Sequence, residues 1–212
     1  SILRQAGDNV LSLLTSRAAR LFPTRALASP RAVGDAVQSF LGENLNKCFP
    51  ANTIRHFENG FERRSMEDMA FYDYAGHYYA VDVKTHNTGT HFNMPNLISV
   101  RRLARFYEND TNTFLVLIVE YELTNEGLCY TDCHFYPIEH FQWNSLTLGA
   151  LGWGQIQIAD ANRLHFDPSL SRREWMLQLC DNIQAFYDIE TGKISDRRGW
   201  FDTVREYWTR HA

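Results

Sequence analysis

The sequence predicts a mixed α/β domain, and three observations predict it. An uninterrupted apolar run, Phe114-Leu-Val-Leu-Ile-Val119, reads as a central strand covered on both faces. Two shorter β-type segments flank the turn residues Asp73-Tyr-Ala-Gly76, the pattern of an antiparallel hairpin. Segments on either side of these carry apolar residues at helical spacing. At 212 residues the chain suits one compact domain or one domain with a small appendage. Its 44% hydrophobic and 22% charged residues are ordinary for a globular protein.

Taken in order, a helix is expected over Asp8 to Arg20, stopping before Pro23. A second begins after Pro30, with Val33, Val37, Phe40, Leu41 and Leu45 on its inner face and Asp35 and Gln38 off that stripe. The hairpin strands run from Met69 to Tyr74 and from Tyr78 to Thr85. A helix is expected from Pro95, a favoured first helical position, burying Leu97, Val100, Leu103 and Tyr107. Thr113 to Leu123 is a strand, Asn125-Glu-Gly127 a turn, and Leu128 to Tyr136 the returning strand. Gln155 to Ile158 alternates as a short strand. Ser171-Arg-Arg-Glu174 is a capping box opening a helix that turns Trp175, Leu179, Ile183 and Phe186 inward, and a last helix covers Trp200 to Arg210. The tryptophans, Trp153 and Trp175 among them, are expected in the core.

The four cysteines do not make a zinc site, because tight Cys-x-x-Cys spacing and nearby loop histidines are lacking. Cys129 and Cys133, four apart in one strand, should share a face, and His134 should oppose Cys133. Reduced thiols packed as small hydrophobes are expected. No apolar run is long enough to span a bilayer. The N-terminus lacks the clean apolar core of a signal peptide, so a cytoplasmic protein is expected. Net charge is −4, which does not advertise a nucleic-acid binder. The distribution is uneven, however: the first 31 residues carry five arginines against one acid, Asp8.

The chemistry is concentrated at Asp68 and at Asp82-Val-Lys84. Residues two apart in a strand share a face, so Asp82 and Lys84 point the same way while Val81 and Val83 point to the opposite layer. Pairing across the hairpin brings Asp68 toward Asp82. Two close carboxylates repel, and one lysine compensates only partly. A hard divalent cation relieves this, and magnesium favours one or two carboxylates with water and phosphate oxygens. Such an ion activates water and neutralises charge developing on phosphate, the needs of phosphodiester hydrolysis. Glu67 adjoins Asp68 but should face away.

Asp68, a hairpin, and Asp82-Val-Lys84 together resemble the signature of the PD-(D/E)xK nucleases. Val81-Asp-Val-Lys-Thr-His-Asn87 followed by Pro95-Asn-Leu-Ile-Ser99 is similar to the HincII-like family of blunt-cutting type II restriction endonucleases, and more distantly to the EcoRV type. Phe40-Leu-Gly-Glu-Asn-Leu45, Gly154-Gln-Ile-Gln-Ile158 and Arg173-Glu-Trp175 extend the resemblance over roughly residues 31 to 187. Glu67 stands where many members carry a proline. The resemblance implies a restriction-endonuclease-like core, a central mixed sheet flanked by helices, in a single domain spanning 1–212. It implies catalysis by Asp68, Asp82 and Lys84. Mg2+ would be held by Asp68, Asp82 and the backbone carbonyl of Val83, with Asp35 as an auxiliary acid. It places His86, Asn87, Phe92, Asn93, Met94 and Asn96 at double-stranded DNA, with an apolar residue near Asn93 acting as a wedge and Asn96 reading a base edge. It further implies a homodimer cutting one short palindrome, the N-terminal helical segment 1–46 contributing to dimerisation. A cognate DNA methyltransferase and a prokaryotic cytoplasm complete the expectation. A structure-directed or repair nuclease, and a non-catalytic DNA-binding protein of the same fold, are the alternatives.

Overall fold

The computed structural model describes residues 1–21, 29–60, 65–125 and 127–211. The helix stop expected at Pro23 and residue Glu126 of the Asn125–Gly127 turn lie outside these. Helix α1 spans Ile2–Leu21 and α2 spans Pro30–Asn44, followed by a 3-10 turn over Leu45–Cys48. Strand β1 covers Ile54–Asn59, β2 Met69–Asp73, β3 Tyr78–Asn87 and β4 Asn96–Ser99; helix α3 is Val100–Phe106. Then come β5 (Asn112–Thr124), β6 (Gly127–Pro137), β7 (Leu146–Gly149), β8 (Gln155–Ile158) and helix α4 (Arg172–Arg210).

The protein is a mixed α/β fold around a five-stranded sheet of order β1-β2-β3-β5-β6, with β3 and β5 parallel and the other neighbours antiparallel. Its two faces bury separate cores. On one, Val81, Val83, Leu115, Leu117 and Val119 meet Ala6, Val10 and Leu14 of α1 and Val33, Val37 and Leu41 of α2. On the other, Ala80, Phe114, Val116 and Ile118 meet Ile98, Leu103, Ile156, Ile158, Trp175 and Leu179. The apolar run of β5 therefore alternates between two cores, which is why it contains no polar residue. Gly34 lets α2 close onto β3: a Cβ there would meet the Thr85 hydroxyl at 3.3 Å.

The hairpin forms as expected. Asp73 Oδ1 accepts the amides of Ala75 and His77, and Gly76 takes φ +86. The capping box of α4 is present, with Ser171 and Glu174 exchanging side-chain bonds to each other's backbone amide.

Several expectations are corrected. Asn96 to Ser99 is a strand, not the first turn of a helix, because Ile98 pairs with Ile156 in a second sheet of order β4-β8-β7. Pro95 precedes that strand, and the helix starts only at Val100. β1 and β7 are further strands that sequence patterning did not show. The two C-terminal helices are one helix of 39 residues. Thr131 is an extra residue in β6, since Glu120 pairs with Asp132 and Tyr121 with Tyr130. This bulge breaks the alternation, so Tyr130 and Cys133 both turn toward the first core while Cys129 is exposed on the other face. Cys48 is buried, and Cys180 is exposed rather than packed. Among the described residues no helix is long and apolar enough to cross a membrane.

Candidate active site

Asp82 lies mid-strand in β3, between β2 and β5, with its side chain on the face of the second core. The hairpin register pairs Met69 with Val81, and Asp68 extends it by donating its amide to the Val81 carbonyl at 2.9 Å. Asp68 is thereby set opposite Asp82. Its Oδ2 accepts the Val83 amide at 2.7 Å, and its Oδ1 accepts the Gln38 side-chain amide at 2.7 Å. Each oxygen keeps a lone pair for another donor or a cation. Lys84, two residues along the same face, donates to Asp82 Oδ1 at 2.7 Å. The three side chains expected to converge do so.

Asp82 Oδ2 is buried and has no hydrogen-bond partner. An ionised carboxylate in that position costs free energy unless something else compensates it. Burial pushes the Asp82 carboxyl up to about 7; Lys84 opposes this and Asp68 adds to it. Asp68 is also raised, by burial first, with the Val83 amide and Lys84 pulling it back. A divalent cation between the two acids would answer both shifts and engage the orphaned oxygen. Among the described residues no group of three or more His, Cys, Asp or Glu side chains stands ready to hold a metal ion. A half-buried and a buried carboxylate, oxygen donors without Cys or His beside them, suit magnesium, which keeps waters and takes substrate oxygens, better than zinc.

Two hollows meet at Ser65 and Asp68. One of about 560 Å³ is lined by Asp35, Gln38, Glu43, Asn59, Glu67 and Asp68. The other, about 410 Å³, is lined by Asp68, Asp82, Ser99, Arg102, Trp153 and Gln155 among others. Asp35 thus shares a hollow with Asp68 but not with Asp82, and its exposed carboxylate sits 3.9 Å from Arg31. Glu67 accepts the Tyr78 hydroxyl at 3.2 Å.

Residues after Lys84 divide into two groups. Phe92 and Met94 are 62% and 42% exposed, apolar side chains presented by a loop. Asn96 is exposed at the start of β4 and accepts the side-chain amide of Gln157, which fixes its orientation. Asn87 is half-buried, its Oδ1 capping the turn at Gly89. His86 departs from expectation. It is 1% exposed, with one ring nitrogen against Asn162 Oδ1 at 2.9 Å and the other against the Asn93 amide at 3.2 Å. β3 runs on through Asn87, so His86 still belongs to the sheet, and it ties Asn93 to the strand rather than facing outward.

Three residues escaped sequence reading. Gln38 orients Asp68, and its only signal was a position off the apolar stripe, one turn beyond Asp35. Gln157 fixes Asn96 across the β4–β8 pair. Trp153, expected in the core, is 62% exposed on the rim of the second hollow, with the Arg101 guanidinium 5.0 Å from its ring centroid. Trp175 is fully buried as expected. No protein-family model matches the chain, and a search of curated proteins returns no match.

Proposed function

We propose that the protein is a magnesium-dependent endonuclease acting on double-stranded DNA at a short palindromic site, a type II restriction endonuclease built on a PD-(D/E)xK core. The observation that carries the reading is Asp82: a buried carboxylate with one orphaned oxygen, opposite Asp68 and beside Lys84, at the floor of an open cleft. Asp68, Asp82 and the Val83 carbonyl would hold Mg2+, and the bound ion would supply an acidified water and neutralise phosphate charge. Gln38 and the Val83 amide keep Asp68 aimed at the cleft. Lys84, fixed against Asp82, offers its remaining N–H bonds to the attacking water or to a non-bridging phosphate oxygen. In the reaction a water oxygen bonds to phosphorus, one ester P–O bond breaks, and the water proton ends on the leaving oxygen through solvent.

The rim fits a nucleic-acid substrate. Arg102 lines the cleft and Arg101 sits over Trp153 at its rim, Phe92 and Met94 suit an unstacking wedge, and the Asn96 amide is held for a base edge. Two-fold symmetric DNA calls for a homodimer, one site per strand. In a prokaryotic cell such an enzyme would be accompanied by a methyltransferase of the same specificity.

The experiment is incubation of supercoiled plasmid of known sequence with Mg2+, with Ca2+ and with chelator, followed by sequencing of the ends. Mg2+-dependent linear products sharing one palindrome are expected. Mg2+-dependent cuts confined to branched or damaged DNA would transfer the reading to a repair nuclease. DNA binding without cleavage under any divalent ion would overturn the enzymatic reading.

A further inference from the structure

Helix α4 has two unlike halves. Trp175 and Leu179 are buried in the second core, and Ile183, one turn further on, is buried against Gly154. That face does not end there. Phe186 is half-buried, and Ile194, Phe201, Val204 and Trp208 continue it at helical spacing beyond the body of the protein. Tyr187, Ile194, Phe201 and Trp208 recur at intervals of seven, the period of a helix–helix seam. Ile194, Phe201 and Trp208 are 52%, 62% and 65% exposed. Residues 184–210 extend about 40 Å. Gly192 and Gly199 lie within this stretch with nothing near them, and glycine weakens a helix relative to alanine. Such a helix depends on packing for its stability.

The charges indicate the partner. Residues 184–196 carry Asp188, Glu190 and Asp196 against Lys193, a net −2; residues 197–210 carry Arg197, Arg198, Arg205 and Arg210 against Asp202 and Glu206, a net +2. The sign changes at the midpoint. Two copies packed antiparallel place each acidic half beside the other's basic half, whereas parallel packing opposes like charges.

We propose that the outer half of α4 is the self-association surface: two copies of the chain pair their α4 helices antiparallel about a two-fold axis near Asp196 and Arg197. Among the described residues, Ala6, Val10 and Leu14 of α1 and Val33, Val37 and Leu41 of α2 are spent on their own core, whereas the apolar residues of the outer half of α4 are not. The assignment does not depend on nuclease activity, since it rests on α4 alone.

Sedimentation of the 212-residue chain tests it. The wild type is expected to be a dimer at micromolar concentration. Phe201→Glu with Trp208→Glu, two side chains exposed in one copy, should give a monomer whose core melts as before. Arg205→Glu, at the position that faces Asp188 of the other copy in this pairing, should weaken dimerisation about tenfold. Adding Asp188→Lys to that same chain should restore it, because positions 188 and 205 of the two copies are again opposite in sign. A monomeric wild type, a dimer that survives Phe201→Glu and Trp208→Glu, or a charge reversal without rescue would each overturn the assignment. Loss of the dimer with plasmid nicking retained, or the reverse, separates this proposal from the nuclease reading.

Discussion

Glu139 and Asp82 are both buried carboxylates paired with a cation, yet their surroundings differ in kind. Glu139 Oε1 accepts Arg172 Nε at 3.0 Å and Oε2 accepts the Tyr107 hydroxyl at 2.6 Å. Arg172 also binds the Asp110 carbonyl and the Thr113 hydroxyl, and its guanidinium lies 4.2 Å from the centroid of the Tyr107 ring. Every charge in that cluster is satisfied by the protein. It joins the start of α4 to the sheet and needs nothing further. Asp82 has one bond, to Lys84, and an oxygen facing nothing. A buried group left incomplete at the bottom of a cleft is completed by a ligand, or it weakens the fold. One pair holds elements together; the other leaves an oxygen unsatisfied, and that is where we propose a cation binds.

The comparison can be broken by substitution. Asp82→Asn should lower Mg2+-dependent cleavage by about a thousandfold or more, since it removes ligand charge at nearly constant shape. The same change should stabilise the metal-free protein at pH 8. The folded carboxyl is raised to about 7 from an ordinary 3.8, so the folded state holds its proton more tightly than the unfolded one. The contribution of Asp82 to metal-free stability should therefore be fully present below pH 4, decline as pH rises toward 7 and be lost above, a change of about 4 kcal/mol. Thermal melts of wild type and variant in chelator across pH 5 to 8 check this; equal pH dependence would sink it.

Glu139→Ala should do the opposite. It leaves Arg172 and Tyr107 buried without their acceptor and should cost about 3–5 kcal/mol of stability. Urea unfolding measures the loss, while cleavage per folded molecule should stay at the wild-type level. A selective loss of activity would mean the two clusters are not separate in function.

Lys84→Ala should reduce cleavage roughly a hundredfold while Mg2+ still protects the protein against heat, because lysine is not a ligand. Loss of that thermal protection would move Lys84 from the chemistry to the maintenance of the acidic pair. Gln38→Ala, the mildest change, should cost about tenfold in kcat with substrate affinity little altered. Gln38→Glu, which replaces a donor with a second acceptor beside Asp68, should be worse than Gln38→Ala if orientation by hydrogen bonding is what Gln38 supplies.

The sequence by itself determined what depends on near neighbours. The alternation of Val81, Asp82, Val83 and Lys84 followed from strand geometry, as did the buried character of Phe114 to Val119. The Asp73–Gly76 turn and the Ser171–Glu174 cap followed from side chains bonding backbone a few residues away. The Asp68–Asp82 approach was legible because a hairpin of known turn links them. Tertiary structure decided whatever depends on distant partners. Ile98 is in a strand because Ile156 stands beside it, against the helical signal of Pro95. Gln38, thirty residues from Asp68 along the chain, matters because α2 closes onto β3 at Gly34. The bulge at Thr131 turned Cys129 away from the face its spacing assigned. Trp153 reached the rim through the turn at Gly154, whose φ is +101 and which packs under Ile183 of α4. Local rules act through bonds and neighbouring turns of chain, whereas burial and strand pairing are settled only when segments far apart in sequence compete for the same space.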